Sequence, residues 1–103
     1  MFLLKEMDEL WEQFSSNAYK PNVLDGKTKE IIAVSNSIIA DCLPCLEYHY
    51  KRAIKAGASK EEIAESIAIA MSICAGSKKA KYLPVISKLE KEYVKTITQR
   101  LMI

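Results

Sequence analysis

Apolar residues recur at helical spacing along almost the whole chain. Leu3, Met7, Leu10 and Phe14 form one stripe, with Trp11 beside it, while Glu6, Asp8, Glu9 and Glu12 cover the other sides. The stretch NAYKPNVLDGK then interrupts the pattern with Pro, Asn, Asp and Gly and predicts a loop. A second helix is expected from about Thr28 to about Ala40, with Ile31, Val34 and Ile38 on one face and Ile32 and Ile39 flanking them. So many β-branched residues make it a mediocre helix by propensity, and burial on several sides would explain their use. A strand is the rival reading, but the length and the flanks favour a helix.

A third helix begins within DCLPC, where Pro44 suits the first turn because its missing N–H costs nothing there. Gly57 is a good C-terminal stop. Ser59 and Glu62 in SKEE then match a capping box and open a fourth helix. Its apolar face carries Ile63, Ile67, Ala70, Met71 and Cys74, and Gly76 is expected to end it. A fifth helix follows from about Lys78 to about Leu101, with Tyr82, Val85, Leu89, Tyr93 and Ile97 turned inward, and Pro84 either kinks it or marks its true first turn. With no convincing strand, repeat or low-complexity linker, the expectation is an all-α chain, one domain over residues 1–103 with about five helices.

Composition narrows the function. Half of the 103 residues are hydrophobic and 27% are charged, which is a soluble globular composition. A net charge of +2 gives no reason to expect nucleic acid. The charge is uneven: residues 78–103 hold seven Lys/Arg against two Glu, and the remainder is net acidic. A solvated basic helix face accounts for this, with contact to an acidic partner or a neighbouring subunit as the other reading. No apolar stretch is long enough to span a membrane. The start, MFLLKEMDELWEQF, carries charges among its apolar residues and lacks a small-residue cleavage site, unlike a signal peptide. A cytoplasmic location is therefore expected, where thiols are kept reduced. Three cysteines, an odd number, argue against a disulfide framework, and a close pair in that compartment points to metal or redox chemistry.

The pair lies in DCLPCLEYHY. If helical geometry starts at Cys42, then Cys42, Cys45 and the single histidine, His49, fall within a stripe about 60° wide. Cys45 and His49 are i,i+4 neighbours and can touch. The cysteines straddle a helix N-terminus, where the positive dipole end favours a thiolate, and Asp41 opposes it by raising a thiol's pKa. A helix start, a nearby base and a second thiol are what a redox cysteine needs. A zinc site is the competing reading, but Cys42, Cys45 and His49 are three ligands where a structural site wants four. Cys74 lies on an apolar stripe and reads as buried and inert.

The segment CLPCLEYHYKRAIKAGASKEEIAESI resembles the central segment of the carboxymuconolactone decarboxylase family, on its alkyl hydroperoxidase D-like branch. Cys42-x-x-Cys45-x-x-x-His49 matches that branch's redox motif, and Ala53-x-x-x-Gly57-Ala58-Ser59 with the acidic turn after it matches as well. The resemblance covers roughly residues 25–76. It implies a third element, a glutamate a dozen residues before the first cysteine, and that position is Glu30. Glu30 also continues the Val34–Ile38 stripe one turn earlier, which suits a partly buried carboxylate. By itself it would read as an ordinary acidic residue in a first helical turn. One position departs from the peroxidase pattern: a relay histidine just before the second cysteine is replaced by Pro44. Members of the decarboxylase branch lack the cysteine pair, so decarboxylation is not expected.

What the resemblance implies is a thiol-dependent peroxidase. Cys45 would be the nucleophile, Cys42 the resolving thiol, His49 the base and Glu30 the carboxylate that orients it. No bound cofactor is expected; an external thioredoxin-like or lipoyl-type dithiol would restore the pair after reaction with a hydroperoxide. Pro44 motivates an alternative, a thiol–disulfide exchange or redox-sensing module, and a metal-binding or scaffold protein is a third possibility. A homo-oligomer, trimeric or hexameric, is also implied, with Trp11, Tyr48 and Tyr50 as interface or core aromatics.

Overall fold

A computed structural model describes residues 4–102, which fold into four helices with no strand among them: α1 Lys5–Tyr19, α2 Gly26–Ile39, α3 Leu43–Lys55 and α4 Lys60–Leu101. The all-α expectation holds. Leu3, assigned above to the first stripe, lies outside the described residues.

Four helices replace the expected five because α4 continues where a break was expected. Gly76 and Pro84 both lie inside it. A glycine in a helix interior costs only about 1 kcal/mol, and strong helix formers such as Ala75, Lys78, Lys79 and Ala80 surround it. Pro84 removes one backbone donor, a cost of about 3 kcal/mol that a long helix can absorb.

The chain divides into two compact units, residues 1–70 and residues 71–103. The first holds α1, α2, α3 and the start of α4, and its connections are set by local chemistry. Asp25 caps α2, accepting from Thr28 N at 2.7 Å, so the helix starts two residues before the sequence suggests. The same bond holds the Asp25 carboxyl below its usual range. At the other end of α2, Asp41 N bonds Ile38 O and Cys42 N bonds Ser37 O. This is a Schellman turn, with Asp41 taking the left-handed φ of 54° that glycine usually supplies. An identical pair of bonds closes α3, where Gly57 holds φ 96°. The Ser59–Glu62 capping box forms in both directions, at 2.9 and 3.0 Å. Lys27 bonds Glu62 at 2.9 Å, and these contacts bring the Glu62 carboxyl down to about 2.

The core of this unit is small: Val34 of α2, Ala53 of α3 and Ile63 of α4, with Leu46, Tyr50, Ala58 and Ile67 packed against it. Ser66 ties α4 to α2 by donating to Ile31 O at 2.8 Å. Small side chains at Ala33 and Ala53 let α2 and α3 lie close together, and that closeness positions the site described below.

In the second unit the expected inward stripe does not turn inward. Tyr82, Val85, Leu89 and Tyr93 are exposed and Ile97 is half-buried. Nor does α1 have a buried residue, and Met7, Leu10, Trp11 and Phe14 stand exposed. The helical period of the Tyr82–Ile97 stripe was right and its expected inward packing was not.

Candidate active site

The helix α3 starts at the cysteine pair. Cys42 is its N-cap, and its sulfur accepts from Cys45 N at 3.2 Å. Pro44 occupies the first turn as expected. Cys42 and Cys45 form a disulfide with Cα atoms 5.2 Å apart. Cys74 is the free cysteine among the described residues and is half-buried.

One turn further along α3, His49 is buried, with 6% of its surface exposed. Its Nδ1 lies 2.7 Å from Oε2 of Glu30 on α2, and Glu30 is itself 3% exposed. Glu30 reaches this place because it precedes Val34 by one turn on the buried face of α2, and α2 packs along α3. A carboxylate at Nδ1 fixes the ring orientation and the tautomer, leaving Nε2 as the basic nitrogen.

Two residues that the sequence did not single out complete the arrangement. Arg52, one turn beyond His49, donates from Nε to the other Glu30 oxygen, Oε1, at 2.9 Å. The buried carboxylate thus has a charged partner on one oxygen and the imidazole on the other. The bond to Glu30 pushes the Arg52 guanidinium further above its already high range. Arg52 also lies over the Tyr48 ring, 5.4 Å from its centroid, and Tyr48 packs edge-on against His49 at 5.0 Å. Tyr19, the last residue of α1, covers His49 from another side with ring centroids 4.6 Å apart. The signal for Arg52 was its i,i+3 spacing from His49; for Tyr19 there was none, since nothing local joins α1 to α3.

A pocket of about 380 Å³ opens beside these groups. Cys45 and His49 share its wall with the apolar Leu24, Ile32 and Ala33 and the polar Asn36. Of the two disulfide sulfurs, Cys45 therefore belongs to the residue that faces the histidine's pocket, while Cys42 caps the helix. Among the described residues no three His, Cys, Asp or Glu side chains converge as metal ligands. No helix among them is long and apolar enough to cross a membrane.

The carboxymuconolactone decarboxylase family profile matches residues 5–88. The chain belongs to that family. It is 32% identical over 87 residues to uncharacterized protein 4 in the cox locus of Paracoccus denitrificans, covering 82% of this chain and 78% of that one. A crystal structure from Methanobacterium thermoautotrophicum superposes with a TM-score of 0.74 at 28% identity, over 84% of this chain and 99% of the other. A carboxymuconolactone decarboxylase family protein of Thermotoga maritima, with a candidate role in antioxidative response, superposes with a TM-score of 0.63 at 29% identity, over 86% and 98%.

Proposed function

We propose that this chain is a dithiol peroxidase of the alkyl hydroperoxidase D-like branch. The observation that carries this reading is a CxxC disulfide whose Cys45 shares one pocket with a histidine held by a buried carboxylate. In the reduced protein, Nε2 of His49 takes the Cys45 proton, directly or through water, while Glu30 accepts from Nδ1–H and stabilises the imidazolium. The Cys45 thiolate attacks the nearer peroxide oxygen. The O–O bond breaks, the sulfur is oxidised to sulfenic acid, and the leaving alkoxide takes a proton from His49 to become an alcohol. The Cys42 thiol, whose ionisation the start of α3 favours, then condenses with the sulfenic acid: its sulfur bonds the Cys45 sulfur, the S–O bond breaks, and the departing hydroxide takes the Cys42 proton to leave as water. An external dithiol of the thioredoxin-like or lipoyl type returns the disulfide to two thiols and is itself oxidised. No bound cofactor enters this cycle, and a cytoplasmic setting would supply such a reductant.

Pro44 supports a second reading, in which the same pair exchanges with disulfides and turns over peroxide poorly. One experiment bears on both. The reduced protein receives one equivalent of organic hydroperoxide, and the oxidised residues are mapped by mass spectrometry against time. A Cys42–Cys45 disulfide formed ahead of any oxidation at Cys74 is the expected result. Slow, indiscriminate oxidation, beside rapid exchange with a model disulfide, would select the second reading.

The working unit in this proposal is a homo-oligomer, a trimer or hexamer. Its support is the exposed apolar side of α1 and the exposed Tyr82, Val85, Leu89 and Tyr93, an extent of apolar surface that an isolated chain of this size seldom keeps in water. Light scattering should give a mass of at least three chains; a mass near 11.6 kDa would exclude the assembly.

A further inference from the structure

The reaction above needs His49 neutral before it can take a proton. Glu30 makes that condition difficult to meet. Its side chain is 4% exposed, and a carboxylate so buried retains its charge only beside a compensating positive one. Two sources lie within reach: the Arg52 guanidinium on Oε1, or a proton bound by His49 on Oε2. The second would occupy the base.

We propose that Arg52 is a positioning residue that keeps the Glu30–His49 pair one proton short, so that His49 stands neutral and ready to take the Cys45 proton. The inference rests on the reading of His49 as the base. Arg52 is suited to the task because a guanidinium carries its charge throughout the working pH range, and its Nε holds Glu30 Oε1 at 2.9 Å. Its side chain is 48% exposed, so the cation remains partly hydrated while its Nε reaches a buried oxygen. The loop of contacts from Arg52 to Tyr48 to His49 to Glu30 and back to Arg52 holds all four side chains in one arrangement. The other ionisable side chains around the pair are Tyr19 from α1, Lys29 from α2, and Cys45 and Lys55 from α3. Lys29 is occupied in donating to Lys20 O at 2.6 Å. Lys55 lines a groove with Glu30 and Arg52, whereas Glu30 makes its ion pairs with His49 and Arg52.

A charge count gives the consequence. With Arg52 present, moving the Cys45 proton to His49 is internal and leaves the site neutral, so thiolate formation depends little on pH near neutrality. Without Arg52, the resting pair already holds the extra proton. A thiolate then requires release of a proton to solvent and leaves the site with a net negative charge. Alkylation of Cys45 should then require a more alkaline solution.

The test measures iodoacetamide alkylation of the reduced protein against pH, with Cys45 followed by mass spectrometry, and uses no peroxide. Arg52→Gln should move the inflection alkaline by about one pH unit or more. Arg52→Lys, which keeps the charge, should recover most of that shift. Circular dichroism verifies that each variant is folded. A folded Arg52→Gln with the wild-type inflection, beside a His49→Asn variant that does shift, overturns the role of Arg52 alone. If His49→Asn leaves the inflection in place, the base assignment fails and this inference with it. If Arg52→Lys behaves like Arg52→Gln, the charge is not what matters and the proposal is wrong.

Discussion

Cys45→Ser should reduce peroxide-dependent turnover to background, and Cys42→Ser should consume one equivalent of hydroperoxide and stop. The difference follows from where the two residues lie. Cys45 lines the pocket that His49 lines, whereas Cys42 caps α3 and accepts the Cys45 N–H. Serine at position 45 holds no standing anion beside an imidazole, as a thiol can, and its oxygen has no counterpart to the sulfenic acid that sulfur forms with peroxide. Serine at position 42 still caps the helix, since a hydroxyl is a preferred N-cap acceptor, so α3 should form normally. What it lacks is the second thiol, and sulfenic acid should accumulate at Cys45, where a sulfenic-acid-specific reagent traps it. Neither variant should lose much stability through loss of the disulfide, because the closed loop is short and constrains the unfolded chain little. Wild-type peroxide consumption by both variants would exclude the scheme. Turnover that survives Cys45→Ser and disappears in Cys42→Ser would exchange the two roles.

The parts of this protein that could be read from sequence are those decided within a turn or two of helix. The capping box at Ser59, the Gly57 stop and Pro44 in the first turn of α3 each depend on a few neighbouring residues, and each is found where expected. The apolar spacing of Tyr82, Val85, Leu89 and Tyr93 was equally plain, yet these residues are exposed. Periodicity states which residues share a face but not what covers it. Gly76 misled because glycine is a stop only where the left-handed turn is needed; inside a run of helix formers it is a small cost. The site divides along the same line. Cys45 and His49 share α3, and Cys42 caps it with extended rather than helical backbone, so short spacing alone joined them even though helical geometry starts one residue later than the 60° stripe assumed. Glu30 comes from a different helix, and its place beside His49 depends on α2 packing against α3. Its position on the Val34 stripe hinted at burial, and the family motif supplied the rest. Arg52 was hidden because a cation on an amphipathic helix ordinarily faces water, and half of its side chain does.

Glu30→Gln should lower the rate of peroxide-dependent Cys45 oxidation by roughly 10²-fold to 10⁴-fold, the span usual for loss of general acid–base assistance. Glutamine has the same shape and can still present an oxygen to Arg52 Nε, now at 2.9 Å from Oε1. Its amide nitrogen then faces His49 Nδ1, which must accept rather than donate. That reverses the tautomer: Nε2 carries the hydrogen and can no longer take the Cys45 proton. The stability change should be smaller in consequence, about 1–3 kcal/mol, because the ion pair with Arg52 becomes a bond from a cation to a neutral amide oxygen while Arg52 remains partly hydrated. The two readouts separate chemistry from folding. A folded Glu30→Gln that oxidises within about threefold of wild type would mean that Glu30 only fills the α2–α3 interface. Glu30→Asp is the informative partner: it keeps the charge but is one methylene short of His49, so it should recover part of the rate without restoring the wild-type pH profile. Full recovery would show that charge alone, and not the 2.7 Å contact with Nδ1, is what the imidazole requires.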